Sequence, residues 1–296
     1  MKILLTGATG LIGRKLVLAL LRAGHEVFAL SRSAAKLPEL PEAHVFPWSD
    51  DQIPPSKALA HCDVIIHLAG EGIADQRWTD ARKKRIQDSR INGTKNLVKA
   101  ISALPQEQRP KLLISGSAIG YYAQSENSQD ENSNPGQDFL ANLCIEWEAC
   151  AKESEQYGLR TVLLRTGLVL AKEGGVLSKT GPIVLGSGQQ WMSWIHIDDM
   201  VRFILFAIEN KNLSGPYNLT APHPVTNKEF TKAVSQYRGF PLTLRAPKFA
   251  LNLALGELAE AVLSNQRVLP TKTLSTGFQY QYAQLDQALN NLIGKH

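Results

Sequence analysis

The 296-residue sequence predicts an α/β fold, a doubly wound parallel sheet followed by a smaller helix-rich lobe. Three observations predict it. Short apolar runs alternate with helical stretches along the first 220 residues. The runs are apolar on both faces, as strands covered by helices on either side must be. A glycine-rich turn joins the first run to the first helix, and right-handed crossovers then place ligands beyond the carboxyl ends of the strands.

In order, Lys2–Thr6 reads as a buried strand and Leu11–Ala23 as a helix, with Ile12, Leu16 and Leu20 on its apolar face and Gly24 as its stop. Val27–Leu30, Val45–Trp48, Val64–Leu68, Lys111–Ile114 and Thr161–Leu164 are further strands; Arg82–Ser102 and Asp138–Gln156 are helices between them. The tract Gln124–Gln137, rich in Asn, Ser, Gln and Asp, reads as a polar loop able to close over a site. After Tyr217-Asn218-Leu219 the texture changes. Thr226-Asn227-Lys228-Glu229 is a capping box opening a helix through Tyr237, Pro247 precedes the apolar stretch Phe249–Leu263, and Gln284–Leu292 is amphipathic. These patterns divide the chain into residues 1–220, a nucleotide-binding domain, and 221–296, a C-terminal lobe to which residues from about 170 also contribute.

Composition narrows the function classes. Hydrophobic residues make up 44% and charged residues 20%, which argues against disorder, and no apolar run reaches the ~18–20 residues of a membrane span. Cys62, Cys144 and Cys150 form neither a CxxC pair nor an even framework, which points to a reducing, cytoplasmic setting. The net charge of +5 is concentrated in Arg82-Lys83-Lys84-Arg85 without interleaved aromatics. That run reads as a solvated helix face rather than a nucleic-acid surface. The expected partner is a small molecule, with neither nucleic acid nor membrane, for a monomer or homodimer. No HExxH, paired CxxC or carboxylate-rich loop suggests a metal.

The strongest motif is Gly7-Ala8-Thr9-Gly10-Leu11-Ile12-Gly13, between the first strand and the first helix. Gly7 permits the tight turn, Gly10 lets the backbone approach a pyrophosphate, and Gly13 lets helix and strand pack closely. The helix N-terminus at Leu11 and Ile12 offers N–H groups and partial positive charge to that anion. At the end of the second strand, where an NAD enzyme usually places an acid on the ribose hydroxyls, the chain has Ser31-Arg32. A serine hydroxyl and a guanidinium suit a 2′-phosphate, so the expected cofactor is NADP(H).

This GxxGxxG spacing, with His67-Leu68-Ala69-Gly70, Gly93-Thr94-Lys95-Asn96-Leu97 and Trp194-Ile195-His196-Ile197-Asp198-Asp199, resembles the extended, epimerase-like branch of the short-chain dehydrogenase/reductase superfamily, a Rossmann-type family. Ser115-Gly116-Ser117-Ala118-Ile119-Gly120-Tyr121-Tyr122, Phe139-Leu140-Ala141, Trp147-Glu148 and Gln266-Arg267-Val268-Leu269-Pro270 are similar to an atypical subfamily labelled only as epimerase family proteins. The resemblance implies cofactor contacts at Ser31, Arg32, Leu68, Ala69, Gly70, Glu71, Arg90 and Val169. Arg165 either shapes the nicotinamide end or pairs with an internal carboxylate.

The superfamily's acid–base pair is a tyrosine with a lysine four residues later, one helical turn on. None of the seven tyrosines has it. The helix expected to carry the pair has Leu140 and Cys144, and Arg90 stands where the branch keeps an asparagine. Ser117 falls at the branch's catalytic serine, and the remaining candidates for proton transfer are Tyr121, Tyr122 and His196, with Glu71 beside them. Asp198 or Asp199 reads as a helix N-cap. Trp191, Met192 and Trp194 suit either a pocket wall or the core. Two functions follow: an NADP(H)-dependent oxidoreductase or epimerase-like enzyme with a rearranged relay, or an NADP(H)-binding regulatory or redox-sensing protein that has lost its chemistry.

Overall fold

Seven parallel strands carry the molecule, which is described by a computed structural model over residues 1–32, 37–60 and 62–294. They are β1 (Lys2–Thr6), β2 (Glu26–Ser31), β3 (Val45–Pro47), β4 (Val64–His67), β5 (Leu112–Ala118), β6 (Arg160–Thr166) and β7 (Gly215–Leu219), in the spatial order β7-β6-β5-β4-β1-β2-β3. All six pairings are parallel. The order reverses at β1, so the switch point of the sheet lies at the glycine turn after Thr6.

Helices cover both faces because the strands are apolar on both. Helix α1 (Leu11–Arg22) and a helix at Ile197–Glu209 bury Leu16, Leu20, Met200, Phe203 and Ile204 against one face. On the other, α2 (Asp80–Ser102) and α3 (Phe139–Lys152) bring Leu97, Ile101 and Ala151 onto Leu4, Ile65, Leu113 and Leu163. Numbering on, Ile197–Glu209 is α4, Asn227–Tyr237 is α5, Lys248–Leu255 is α6 and Leu285–Ile293 is α7. The first helix ends as the sequence requires, with Gly24 at φ +75. The capping box at the start of α5 is formed: Glu229 N donates to Thr226 Oγ1 at 3.3 Å, and Thr226 N donates to Glu229 Oε2 at 2.8 Å.

Several readings need correction. Helix α3 ends at Lys152, followed by a single-turn helix at Glu153–Tyr157. The apolar stretch Phe249–Leu263 is broken at Gly256, where φ is +59. The polar tract Gln124–Gln137 is no free lid. Its residues Ser125–Gln129 pair in parallel with Gln266–Val268. Glu131, buried just beyond, accepts hydrogen bonds from Asn218 N and Lys272 N, both at 2.9 Å. A polar sequence forms a strand here because its backbone finds a partner and its acid finds two donors. Neither Asp198 nor Asp199 caps α4. The cap is His196, whose Nδ1 accepts from Asp198 N at 3.0 Å, and the Asp199 carboxylate instead accepts from Gln281 N and Tyr282 N. Trp194 is core, fully buried with its indole N–H on the His223 carbonyl.

Candidate functional site

A cleft of about 320 Å³ opens at the carboxyl edge of the sheet, above β1, β2 and β4. Its floor is the glycine turn. Gly7 sits at φ +73, and a Cβ there would lie 2.7 Å from the Leu68 carbonyl carbon. A Cβ on Gly13 would fall on the Gly7 carbonyl oxygen and 2.8 Å from Ala8 Cα, so only glycine lets α1 sit this close to the turn. Gly10, the N-cap of α1, offers no side-chain cap, and the first turn carries no acid. No side chain therefore caps the N–H groups of that turn, and no acid offsets the positive end of the helix dipole behind the glycine turn. Such a cradle suits a phosphate.

The far wall is held by a hydrogen-bond chain whose direction is fixed by its ends. Thr94 Oγ1 donates to the Arg90 carbonyl at 2.6 Å, so it can only accept from His67 Nε2, 3.1 Å away, and the ring proton sits on Nε2. His67 Nδ1 is then an acceptor, and Thr6 Oγ1, which accepts from Ala69 N at 3.1 Å, donates to it at 2.7 Å. The imidazole is fully buried, and burial, with the Arg90 cation nearby, lowers its pKa to about 4. Behind Gly70 lies the buried Arg90 side chain. Its guanidinium carbon is 3.2 Å from where a Gly70 Cβ would be, and Nη1 donates to the Glu71 carbonyl at 3.0 Å. Burial lowers this arginine's pKa to about 10, which leaves it charged at neutral pH. The Glu71 carboxylate pairs with Arg82 at 3.1 Å and Arg85 at 3.3 Å. The Arg82 hydrogen bond, foremost, holds its pKa below the usual carboxylate range. The basic run is thus partly spent on internal pairs, with Lys83 on Glu257 and Lys84 on Asp88.

The proposed proton-transfer residues fall into one buried cluster and one separate site. Ser117 Oγ donates to Glu148 Oε1 at 2.7 Å. Arg165 clamps the same carboxylate at both oxygens, Nε to Oε1 at 2.8 Å and Nη2 to Oε2 at 2.9 Å, and donates from Nη1 to Tyr122 Oη at 2.9 Å. That phenol donates to Asn218 Oδ1 at 2.7 Å. Tyr122 is fully buried and its pKa is pushed up to about 12 by burial. Arg165 therefore pairs with the internal carboxylate of Glu148. Burial opposes its charge, but the Glu148 hydrogen bonds outweigh that and its pKa is raised. Tyr121 differs. It is half-buried, its ring lies over the Arg165 guanidinium at 3.5 Å, and among the described residues its hydroxyl has no hydrogen-bond partner. His196 stands apart, fully buried in the lobe between Asp198 N and Asn291 Oδ1 and stacked on Tyr282 at 3.8 Å.

Of the predicted cofactor residues, Gly7, Gly10, Ser31, Arg32, Leu68, Ala69, Gly70 and Glu71 line the cleft. Gly13 lies beneath it, and Leu11 and Ile12 form the first turn of α1. Arg90 acts from behind Gly70 and Glu71. Val169 sits in Leu168–Leu170, which pairs with Trp194–His196, and its carbonyl packs under the Gly174-Gly175 turn beside Leu11. Sequence reasoning missed Trp48, Ser49, Asp50 and Ser89 in the cleft wall. The position of Val45–Trp48 beside the second strand was the available signal. Asn96, in the Gly-Thr-Lys-Asn-Leu motif of α2, holds that wall by donating to the Asp50 carbonyl at 2.9 Å. Ser89 accepts from Glu71 N at 3.0 Å. Among the described residues, no group of three or more His, Cys, Asp and Glu side chains is placed to hold a metal ion.

Sheet order, covering helices and a glycine cleft at the switch point define a Rossmann-type fold. The chain belongs to the NAD dependent epimerase/dehydratase family, whose model matches residues 3–220, and residues 246–292 match a domain of unknown function, DUF1731. It is 37% identical over 301 residues to epimerase family protein YfhF of Bacillus subtilis, covering 99% of this chain and 98% of that protein. It is 39% identical over 303 residues to the chloroplastic epimerase family protein SDR39U1 homolog of Arabidopsis thaliana, covering 99% and 87%. The human epimerase family protein SDR39U1, solved with NADPH, superposes with a TM-score of 0.86 at 33% identity over 99% of both chains. A UDP-glucose 4-epimerase from Thermotoga maritima shares the fold at 19% identity, TM-score 0.79, over 99% of this chain and 97% of that one.

Proposed function

We propose that this chain binds NADP(H) in the cleft above β1 and works as an oxidoreductase or epimerase-like protein on a small molecule. The observation that carries this reading is the glycine cradle beside an acid-free second strand end, Ser31-Arg32. The human relative solved with NADPH supports it. In this reading Gly7, Gly10, Leu11, Ile12 and Gly13 take the pyrophosphate, Ser31 and Arg32 the 2′-phosphate, and Leu68, Ala69, Gly70 and Glu71 the adenosine side. Arg90 positions the Gly70-Glu71 backbone, and Val169 lies toward the nicotinamide. The cofactor, when bound, supplies a hydride donor or acceptor. The substrate lobe is residues 221–296 together with chain from about 170.

Among the proton-transfer candidates, Tyr121 is the one whose hydroxyl is left uncommitted, and we assign it the acid–base role. Ser117 and Tyr122 serve beneath it by holding the Glu148–Arg165 pair on which its ring rests. His196 caps α4. A second reading, an NADP(H)-binding regulatory or redox-sensing protein, is favoured by the same commitments. Three of the four candidate groups already have hydrogen-bond partners inside the fold, and catalysis without a placed acid forgoes ~10²–10⁴-fold. Among the described residues no helix is long and apolar enough to cross a membrane. With three unpaired cysteines, we place the protein in the cytoplasm as a monomer or homodimer.

Calorimetry with NADPH and NADH tests the cofactor. NADPH should bind at least about tenfold tighter, and Arg32→Asp should remove that preference, as expected for lost charged hydrogen bonds. Equal affinities of the parent would overturn the assignment. Stopped-flow NADPH oxidation against a broad carbonyl panel, with Tyr121→Phe alongside, separates the two readings. Turnover lost in that variant supports the enzyme; tight NADPH binding with no turnover on any substrate supports the sensor.

A further inference from the structure

The substrate lobe carries an apolar surface that no part of the described chain covers. Phe240, Leu242, Leu244, Phe249 and Leu253 are exposed within fourteen residues of sequence, Leu242, Phe249 and Leu253 to 77%, 75% and 79%. Leu244 pairs with Ile183 across the two-stranded sheet of Ile183–Leu185 and Leu244–Ala246, and Ile183 is exposed too. Helix α6 buries none of its residues, and Phe249 and Leu253, four apart, share one of its faces. Exposed apolar residues scattered singly need no explanation, but a cluster of this kind marks an interaction surface.

Charge decides what it meets. From Phe230 to Gly256 the sequence has four basic residues, Lys232, Arg238, Arg245 and Lys248, and no acid. Arg245 and Lys248 flank the exposed leucines and phenylalanine in sequence; the Arg245 guanidinium also donates to the Gly186 and Ser187 carbonyls, which leaves Lys248 as the less committed cation. Of the acids just outside, Glu257 pairs with Lys83 at 2.7 Å and Glu229 closes the capping box of α5, while Glu260 lies in the next helix, Leu258–Val262. A second copy docking through this face about a two-fold axis would bring the cations of both copies into one interface, with no acid from residues 230–256 of either copy to offset them. An apolar surface whose own stretch of chain carries cations and no acid instead matches the headgroup boundary of an anionic bilayer, where the aromatic and leucyl side chains enter and the cations meet lipid phosphates.

We propose that the Phe240–Leu253 face binds peripherally to the surface of membranes rich in anionic phospholipid. Absence of an apolar span led the sequence to exclude membranes as partners, but surface association needs no span. The inference does not depend on the cofactor reading, because none of these residues lines the cleft.

The test is co-sedimentation of the full chain with phosphatidylglycerol-containing vesicles and with phosphatidylcholine vesicles. Binding to the first only, weakened by salt, is expected. Phe249→Glu/Leu253→Glu should cut partitioning at least about tenfold, and Lys248→Glu should weaken it and flatten the salt dependence. Circular dichroism and thermal unfolding of each variant should match the parent, since these side chains have nothing to unpack. No binding to anionic vesicles overturns the proposal, as does binding unchanged in the folded double variant. A dimer by light scattering that dissociates in the double variant, without vesicle binding, assigns the face to a second copy and overturns it equally.

Discussion

Acidification should unfold this protein partly through one imidazole, His67. The ring is fully buried and already satisfied as the neutral Nε2–H form, since Thr6 donates to Nδ1 and Nε2 faces Thr94. A second proton on Nδ1 would have to displace the Thr6 proton and add a charge without solvent near the Arg90 guanidinium. Burial first, and that guanidinium second, therefore bring the pKa from 6.5 to about 4. The unfolded chain takes up this proton first. Stability contributed by neutral His67 is complete above pH 6.5 and is lost as pH falls toward 4, at up to ~1.4 kcal/mol per unit and about 3 kcal/mol in all. Urea unfolding of the parent and of His67→Gln, measured between pH 7.5 and 4.5 at matched salt, isolates the effect because the carboxylates titrate in both. The parent should lose stability more steeply below pH 6.5. Parallel curves would refute both the tautomer and the burial argument. The variant should also weaken NADPH binding, because Thr6 loses the partner that orients it toward Ala69 N.

Three further substitutions probe the turn and the buried cluster. Gly13→Ala should lower stability by about 1–3 kcal/mol and weaken NADPH at least about tenfold, since the new Cβ has only the backbone of Gly7 and Ala8 to displace; Gly24→Ala, with open space around its Cβ, should leave the affinity unchanged, and calorimetry of the pair checks both. Glu148→Gln should cost about 3–5 kcal/mol by leaving the Arg165 guanidinium buried without its carboxylate, read as a lowered urea midpoint with the slope unchanged.

Much of the sheet was legible because its central strands are apolar on both faces and are punctuated by helices. The glycine turn was legible because sterics at Gly7 and Gly13 leave no alternative residue. The edge strand β7 was not, since Gly215-Pro216 opens it and Asn218 interrupts its apolar pattern. The strand in the polar tract depends on Gln266–Val268, far along the chain, and no local pattern reports a partner at that distance. For the same reason the sequence found Ser117 and Tyr122 but not what occupies them. Glu148 comes from α3, Arg165 from β6 and Asn218 from β7, and only the closed sheet brings their polar atoms together. His196 was found as a titratable residue at a strand end; its role as the cap of α4 depends on where the backbone turns.

The absence of a tyrosine–lysine pair is not a matter of two isolated positions. At its place, Leu140 packs 3.3 Å from where a Gly120 Cβ would lie, and Cys144 is buried beneath with its thiol pushed up to about 12, chiefly by burial. The Trp147 ring fills the next space, 2.9 Å from a Cβ on Gly116, and the Arg90 guanidinium stands over that ring at 5.2 Å. An apolar wall, with the buried Arg90 cation and the buried Glu148–Arg165 pair acting on the same position, therefore stands where the relay would be. A lysine at 144 would enter a dry space on which the Arg90 and Arg165 guanidiniums already act, and the Glu148 carboxylate that also acts there is committed to Arg165 at both oxygens. Like charges in low dielectric repel strongly, so the ammonium would lose its proton or the packing would open. Leu140→Tyr/Cys144→Lys should accordingly restore no activity on sugar nucleotides and should lower the unfolding temperature. Adding Arg90→Asn, which removes one opposing cation, should recover part of that stability. A double variant as stable as the parent would show that the wall tolerates the pair and would refute the packing argument.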